Sequence, residues 1–401
     1  MTARAVRWLG LALAIVASFT ARGAAEPWND VVANARGQVV NFNAWAGDEK
    51  TNAFIEWAGG EVLRRYGVTL RHVKLRDTAE AVTRVVAEKA AGRNAEGTVD
   101  LIWLNGPNFL ALKEQRLLYG PFTAALPNYR YVDTTHIRSN VVDFTIPVDG
   151  YASPWRRAQV VFIYDSRRVT DAPRSATQLL AWAKRHPGRT THPNVRNFLG
   201  ATFLKQALYE LAPDAEALNR SATDATFAAV TAPLWKWYDE LRPLLWHRGE
   251  QFPDNGPAQR QLLNDGDIDL MISFNPAEAA VAQSTGQLPE SARTVVFDRG
   301  TIGNTSFVAI PYNAAHKEAA MVVANFLLEP ATQARAQDYR QTGAFTVLDL
   351  DLLGSADRTM FDALPNHPAL PTNAELRTPL PEPHPSWMTR IVAQWEQRYT
   401  K

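Results

Sequence analysis

The 401-residue chain contains no cysteine. That absence excludes a disulfide framework, a thiolate metal site, a cysteine nucleophile and a lipid anchor attached through sulfur. An excess of one charge is missing too. The 42 Lys and Arg residues face 41 Asp and Glu, so there is no electrostatic footprint for nucleic acid, and none is expected as a partner. The eight histidines are scattered with no H-E-x-x-H spacing, and no G-x-S-x-G, S-x-x-K or P-loop pattern occurs. No metal, cofactor or catalytic residue is therefore assigned. What the chain does have is 46% hydrophobic residues, 21% charged residues and 12 tryptophans. That is the composition of a globular protein with a sizeable core, and the length suggests two domains or one bilobed unit.

The first 25 residues carry Arg4 and Arg7, then an apolar run from Trp8 to about Phe19, then Gly23-Ala24-Ala25. A positive start, a short apolar stretch and small residues at the end make a secretory signal peptide, cleaved after Ala25. The apolar run falls short of the roughly 20 residues that span a bilayer. Removing Arg4, Arg7 and Arg22 changes the formal charge from +1 to −2. The expected product is an exported, periplasmic, non-lipidated monomer.

Beyond Pro27 the pattern alternates strand and helix, which predicts an α/β fold with parallel strands. Residues 37–45, 68–73 and 99–104 read as strands, separated by helical spacing over Phe54, Ile55, Ala58 and Val62 and over Ala81, Val82, Val85 and Val86. Asp77 and Glu80 have the spacing of a capping box. A second unit starts near Gly150: residues 158–164 (AQVVFIY) form a strand, helices follow at 175–186, 198–211 and 224–247, and residues 269–274 form a buried strand. Residues 306–310 are a further strand, stopped by Pro311 and followed by a helix over 314–328. The division is thus 26–150 for the first part of lobe 1, 151–300 for lobe 2, and 301–360 for the return to lobe 1 and the hinge. Residues 361–401 are a proline-rich C-terminal segment with a final docking helix. Seven prolines between Pro365 and Pro385 favour extended backbone that wraps the surface. Trp387, Ile391, Trp395 and Tyr399 then mark the apolar face of that helix.

The segment Phe307 to Val347 resembles the returning segment of type II periplasmic substrate-binding proteins. The shared pattern is a strand, Ile310-Pro311, Asn313-Ala314, a helix ending in Phe326-Leu327-Leu328, then Pro330 and Gln333 before Gly343 and Val347. Asn41 to Asp48 and Asp100 to Phe109 further resemble the YnjB-type binding proteins of ABC importers. The resemblance covers almost the whole mature chain. It implies two α/β lobes with a ligand cleft and hinge between them, and a membrane permease and ATPase as partners. The expected ligand is a small molecule, thiamine or a related cationic heterocycle.

Ligands of open α/β sheets sit beyond the carboxyl ends of the strands. That rule selects Trp45 and Asp48 after the first strand and Asn105 and Gly106 after the third. At the crossover, strand ends and helix starts of the second lobe, Tyr151, Trp155, Arg156, Asn197, Phe274, Asn275 and Glu278 are the expected contacts. Aromatic faces attract a cation, a carboxylate neutralises it, and Arg156 with the helix start at Asn197 suits a phosphate. A single tryptophan is more often core than ligand platform, so Trp103 and Trp246 stay unassigned, and Arg156 beside Arg157 equally fits a solvated pair. Two other functions fit the same fold. A carboxylate-based secreted hydrolase or transferase could use Asp48 and Glu278 across a cleft. A non-transport binding module could use the proline-rich segment.

Overall fold

The structure is a computed structural model that describes residues 27–376 and 378–400. The expected signal peptide and its cleavage after Ala25 fall outside the described residues. No described helix is long and apolar enough to cross a membrane.

The strands, in chain order, are β1 (Val39–Trp45), β2 (Thr69–Leu75), β3 (Leu101–Leu104), β4 (Val142–Asp143), β5 (Ile146–Pro147), β6 (Ala152–Gln159), β7 (Val161–Asp165), β8 (Leu270–Ser273), β9 (Ala292–Val295) and β10 (Gly303–Ala309). Five of them make a sheet in the order β2-β1-β3-β10-β6. β1 is parallel to β2 and β3, as the βα repeats predict, whereas β10 runs antiparallel to both β3 and β6. A second sheet, β8-β7-β9, is antiparallel throughout. The parallel expectation thus holds for three strands only. A short apolar run looks the same in either direction, so strand polarity is not written in periodicity.

Residues 158–164, read as one strand, are shared between the two sheets. The break is Val160, fully buried, whose N–H donates to Ile302 O at 2.8 Å. On one side Gln159 pairs with Gly303 in the first sheet; on the other Val161 pairs with Ser273 in the second. The chain therefore crosses between the sheets at Val160 and returns at Ile302, and these two adjacent crossings form the hinge. The expected start of lobe 2 at residue 151 lies before β6, a strand of the first sheet.

Local signals explain the helices that flank the sheets. Asp48 Oδ1 accepts the Thr51 N–H at 2.7 Å and starts the helix Glu49–Tyr66, which Gly67 ends at φ +68°. Glu80 Oε1 accepts the Asp77 N–H at 3.1 Å, the returning half of a capping box, while Asp77 Oδ1 takes the Ala79 N–H at 2.8 Å. The helix expected to run to residue 247 ends at Leu241. Pro243 follows, and His247 and Arg248 adopt φ of +50° and +59°. The helix Pro385–Tyr399 buries Trp387, Ile391 and Trp395 in the same apolar cluster as Phe162, Leu204 and Trp237 of the second lobe.

Candidate functional site

Between the sheets lies a cavity of about 260 Å³. Its floor comes from alternate residues of the two hinge strands: Arg156 and Ala158 on β6, Asn304 and Ser306 on β10. β-Strand alternation sends Arg157 the other way. Its Nε donates to Thr346 O at 2.7 Å, and burial pulls its pKa down to about 10. Arg156 and Arg157 are therefore not a solvated pair, because they serve opposite faces of one strand.

The first-lobe wall is built from the carboxyl ends of β1, β2 and β3: Trp45, Asp48, Thr78, Trp103 and Asn105 all line it. Trp45 meets Trp103 edge to face at 6.4 Å, and Trp103 meets Trp155 likewise at 5.0 Å. Trp45 also depends on Gly47, since a Cβ there would lie 2.2 Å from its indole Cζ2. The glycine thus makes room for a tryptophan of its own chain. The second-lobe wall carries Asn197, Phe198, Arg260, Phe274, Asn275 and Glu278. Asn197 caps the helix Phe198–Leu211, its Oδ1 accepting the Leu199 N–H at 3.0 Å.

Eight of the eleven expected residues line the cavity, namely Trp45, Asp48, Asn105, Arg156, Asn197, Phe274, Asn275 and Glu278. Three do not. Trp155 is only 2% exposed and stacks on Phe54 in the core, because a bulge between Arg156 and Pro154 turns it away from the floor. Tyr151 packs on the cluster containing Leu118 and Val148. Gly106 starts the helix Pro107–Glu114 at φ +58°, donates its N–H to Asp143 Oδ2 at 2.6 Å, and lies under the Phe144 ring.

Hydrogen bonds sort the lining side chains further. Asn275 pins the loop, its Nδ2 donating to Thr342 O at 2.9 Å and its Oδ1 accepting the Ala277 N–H at 3.0 Å. One amide N–H and one lone pair are left for a solute. Glu278 forms an ion pair with Arg260. Burial raises its pKa, Arg260 pulls it down, and Asp48 raises it across the cleft. Among the described residues Arg156 donates only to Thr51 Oγ1, at 3.4 Å, and its guanidinium lies over the rings of Trp103 and Trp155 at 5.3 and 5.4 Å. Burial lowers its pKa, while Asp48 and Glu278 act through space to raise it.

Sequence reasoning missed Trp103, Arg260, Ser306 and Phe198. Trp103 ends a strand at the same edge as Trp45, so the rule that chose Trp45 reaches it. Ser306 faces Arg156 only through a register spanning 150 residues, which no local pattern encodes. Outside the cavity, Asp133, His136 and Asp349 bring potential metal-ligand atoms within 4.8 Å of one another. Asp133 Oδ1 there accepts the N–H groups of Thr135 and His136 in a local turn.

Comparison with known proteins gives the same architecture a family. Residues 61–349 match the bacterial extracellular solute-binding proteins. The chain belongs to the bacterial extracellular solute-binding family. Over 395 residues, 98% of its length, this solute-binding protein is 40% identical to protein YnjB of Escherichia coli K12, covering 99% of that relative. Its fold is that of the TpPotD lipoprotein of Treponema pallidum (TM-score 0.65, 14% identity, covering 90% of this chain and 100% of that one). It is also that of AfuA from Actinobacillus pleuropneumoniae with fructose-6-phosphate bound (0.64, 13%, 90% and 98%). Iron-bound HitA from Pseudomonas aeruginosa aligns as well (0.60, 15%, 90% and 100%). At such identities the likeness extends to the fold and not to the ligand. The solute-binding protein thus has two α/β lobes with the cleft and hinge between them.

Proposed function

We propose that the protein, exported and cut after Ala25, acts as a periplasmic monomer that captures a small ring-bearing solute by hinge closure. It then delivers the solute to a membrane permease and its ATPase. The observation that carries this reading is that one cavity takes Trp45 from the first lobe and Phe198 and Phe274 from the second, with both hinge strands as its floor. A solute that touches both walls stabilises the closed arrangement alone, which is how binding moves a two-state hinge. The volume of about 260 Å³ suits a solute of one or two rings, smaller than the drug-sized ligands of pockets of about 300–1,000 Å³. Cationic heterocycles, thiamine among them, are the first class to test. For a cation the better partner is Asp48, which has no ion pair among the described residues, whereas the charge of Glu278 is paired with Arg260. Cation–π contacts contribute about 0.5–2 kcal/mol each, against about −8 kcal/mol for micromolar affinity, so contacts from both lobes are required.

Glu278 and Asp48 line the same cavity, as the carboxylate hydrolase alternative requires. Asp48 caps a helix through Oδ1 and Glu278 is paired with Arg260 through Oε1, roles that favour binding over proton transfer. The test is thermal shift and calorimetry across vitamins, polyamines, sugars, amino acids and oxyanions, with wild type and Trp45→Ala. A solute that raises the melting temperature and is recovered unaltered supports capture, and Trp45→Ala weakens it about tenfold or more. Recovery of a chemically altered solute sinks the reading.

A further inference from the structure

We propose that the captured solute carries an oxyanion, a carboxylate or a phosphate ester, seated against Arg156. The inference rests on the capture reading and adds the chemistry of the group recognised. Arg156 sits on the cavity floor with its guanidinium over two indole rings, at 5.3 and 5.4 Å. Among the described residues no carboxylate lies within 4.0 Å of it, and its one hydrogen bond, to Thr51 Oγ1, is long at 3.4 Å. A guanidinium has five N–H donors in a rigid fork that matches an oxyanion. Here almost the whole fork is left for the cavity.

Of the other charges lining the cavity, Arg76 is exposed just past the end of β2, and the rest have partners at one oxygen or nitrogen. Arg260 is bound to Glu278. Asp48 and Asp77 each give an oxygen to the first turn of a helix, at Thr51 N and Ala79 N. Neutral groups nearby add donors. Asn197 uses its Oδ1 as a helix cap, so its Nδ2 has no partner among the described residues, and neither has the Ser306 hydroxyl on the hinge strand paired with Arg156. The cavity thus gathers unused donors around Arg156 on the hinge strand and one helix start from the second lobe, with Arg76 at its exposed edge. An oxyanion bridging them would draw the lobes together, and its charge would meet Arg156 where water is largely excluded, the setting in which a charge-assisted bidentate pair is strongest.

The test is a set of matched probes: inorganic phosphate alone, thiamine monophosphate against thiamine, and indole-3-acetate against tryptamine. Each is titrated by calorimetry and thermal shift into wild type, Arg156→Met and Arg156→Lys. The expected result is that phosphate raises the melting temperature, that an oxyanion-bearing member binds at least about tenfold more tightly than its mate, and that Arg156→Met removes that difference while Arg156→Lys retains part of it. The thiamine pair reads the ester and the indole pair the carboxylate. Preferential binding of thiamine or tryptamine, unchanged in Arg156→Met, overturns the oxyanion and leaves capture intact. No response to any probe, phosphate included, in folded wild type counts against both.

Discussion

Lys205 and Glu382 form an ion pair sealed from solvent, with Lys205 at 0% and Glu382 at 2% side-chain exposure. The first is on the helix whose start walls the cleft; the second comes from the proline-rich C-terminal segment. Glu382 also accepts from Asn304 Nδ2 on the cavity floor at 2.9 Å. The Lys205 ammonium lies over Phe144 and Phe198 at 4.6 and 4.8 Å. Two further bonds tie the segment to the hinge, Gln159 Nε2 to Leu376 O at 2.7 Å and Gly303 N to Leu380 O at 2.9 Å. The C-terminal segment is thus built into the base of the cleft.

A buried charge deprived of its partner is costly, whereas removing both charges together is tolerated. Glu382→Ala is expected to lower unfolding stability by about 3–5 kcal/mol in urea titrations. The double variant Lys205→Met with Glu382→Leu recovers most of that loss. A single variant within about 1 kcal/mol of wild type contradicts the assignment.

His192 makes stability sensitive to acid. It is fully buried between Phe203 and Phe252, with its ring nitrogens against Pro193 O at 2.7 Å and Tyr238 OH at 2.9 Å. Burial lowers its pKa from 6.5 to about 4. Between those values the unfolded chain binds a proton that the folded chain does not, so stability rises with pH through this window and is lost as pH falls. The loss relative to neutral pH approaches about 3 kcal/mol at pH 4. Subtracting the stability profile of His192→Gln from that of wild type, over pH 4 to 7, isolates this slope. Parallel profiles argue against a neutral buried imidazole.

Gly47→Ala tests the platform without touching the cavity's polar groups. Its Cβ collides with the Trp45 ring, so the indole must move. The expected outcome is an altered tryptophan emission and at least about tenfold weaker solute binding, with stability changed by less than about 1–2 kcal/mol because Trp45 is half-buried. Unchanged binding with a displaced indole removes Trp45 from the site.

Much of the cleft was legible because strand-end logic is local. Trp45, Asp48 and Asn105 end or follow parallel strands, and Asn197 precedes a helix, so their positions follow from short windows. What escaped depends on long-range pairing. Trp155 looked like a crossover contact, but a single bulge sent it into the core and left its neighbour Arg156 on the floor. The AQVVFIY run looked continuous, yet it divides between two sheets at Val160, because hydrophobicity alone does not say which sheet a residue joins. Asn275 lines the cavity as expected, but its bond to Thr342, 67 residues away, lies outside any short window.

The central claim is that a solute closes the two lobes, and the absence of native cysteine makes this directly measurable. Thr83→Cys and Asn264→Cys place dyes on exposed faces of the helices Ala79–Ala90 and Gly256–Asp265, whose starts meet the cavity from opposite lobes. Energy transfer between them is measured while titrating a solute that raises the melting temperature. A saturable rise in transfer is expected, with a midpoint equal to the calorimetric dissociation constant. Calorimetric binding with no change in transfer would contradict closure.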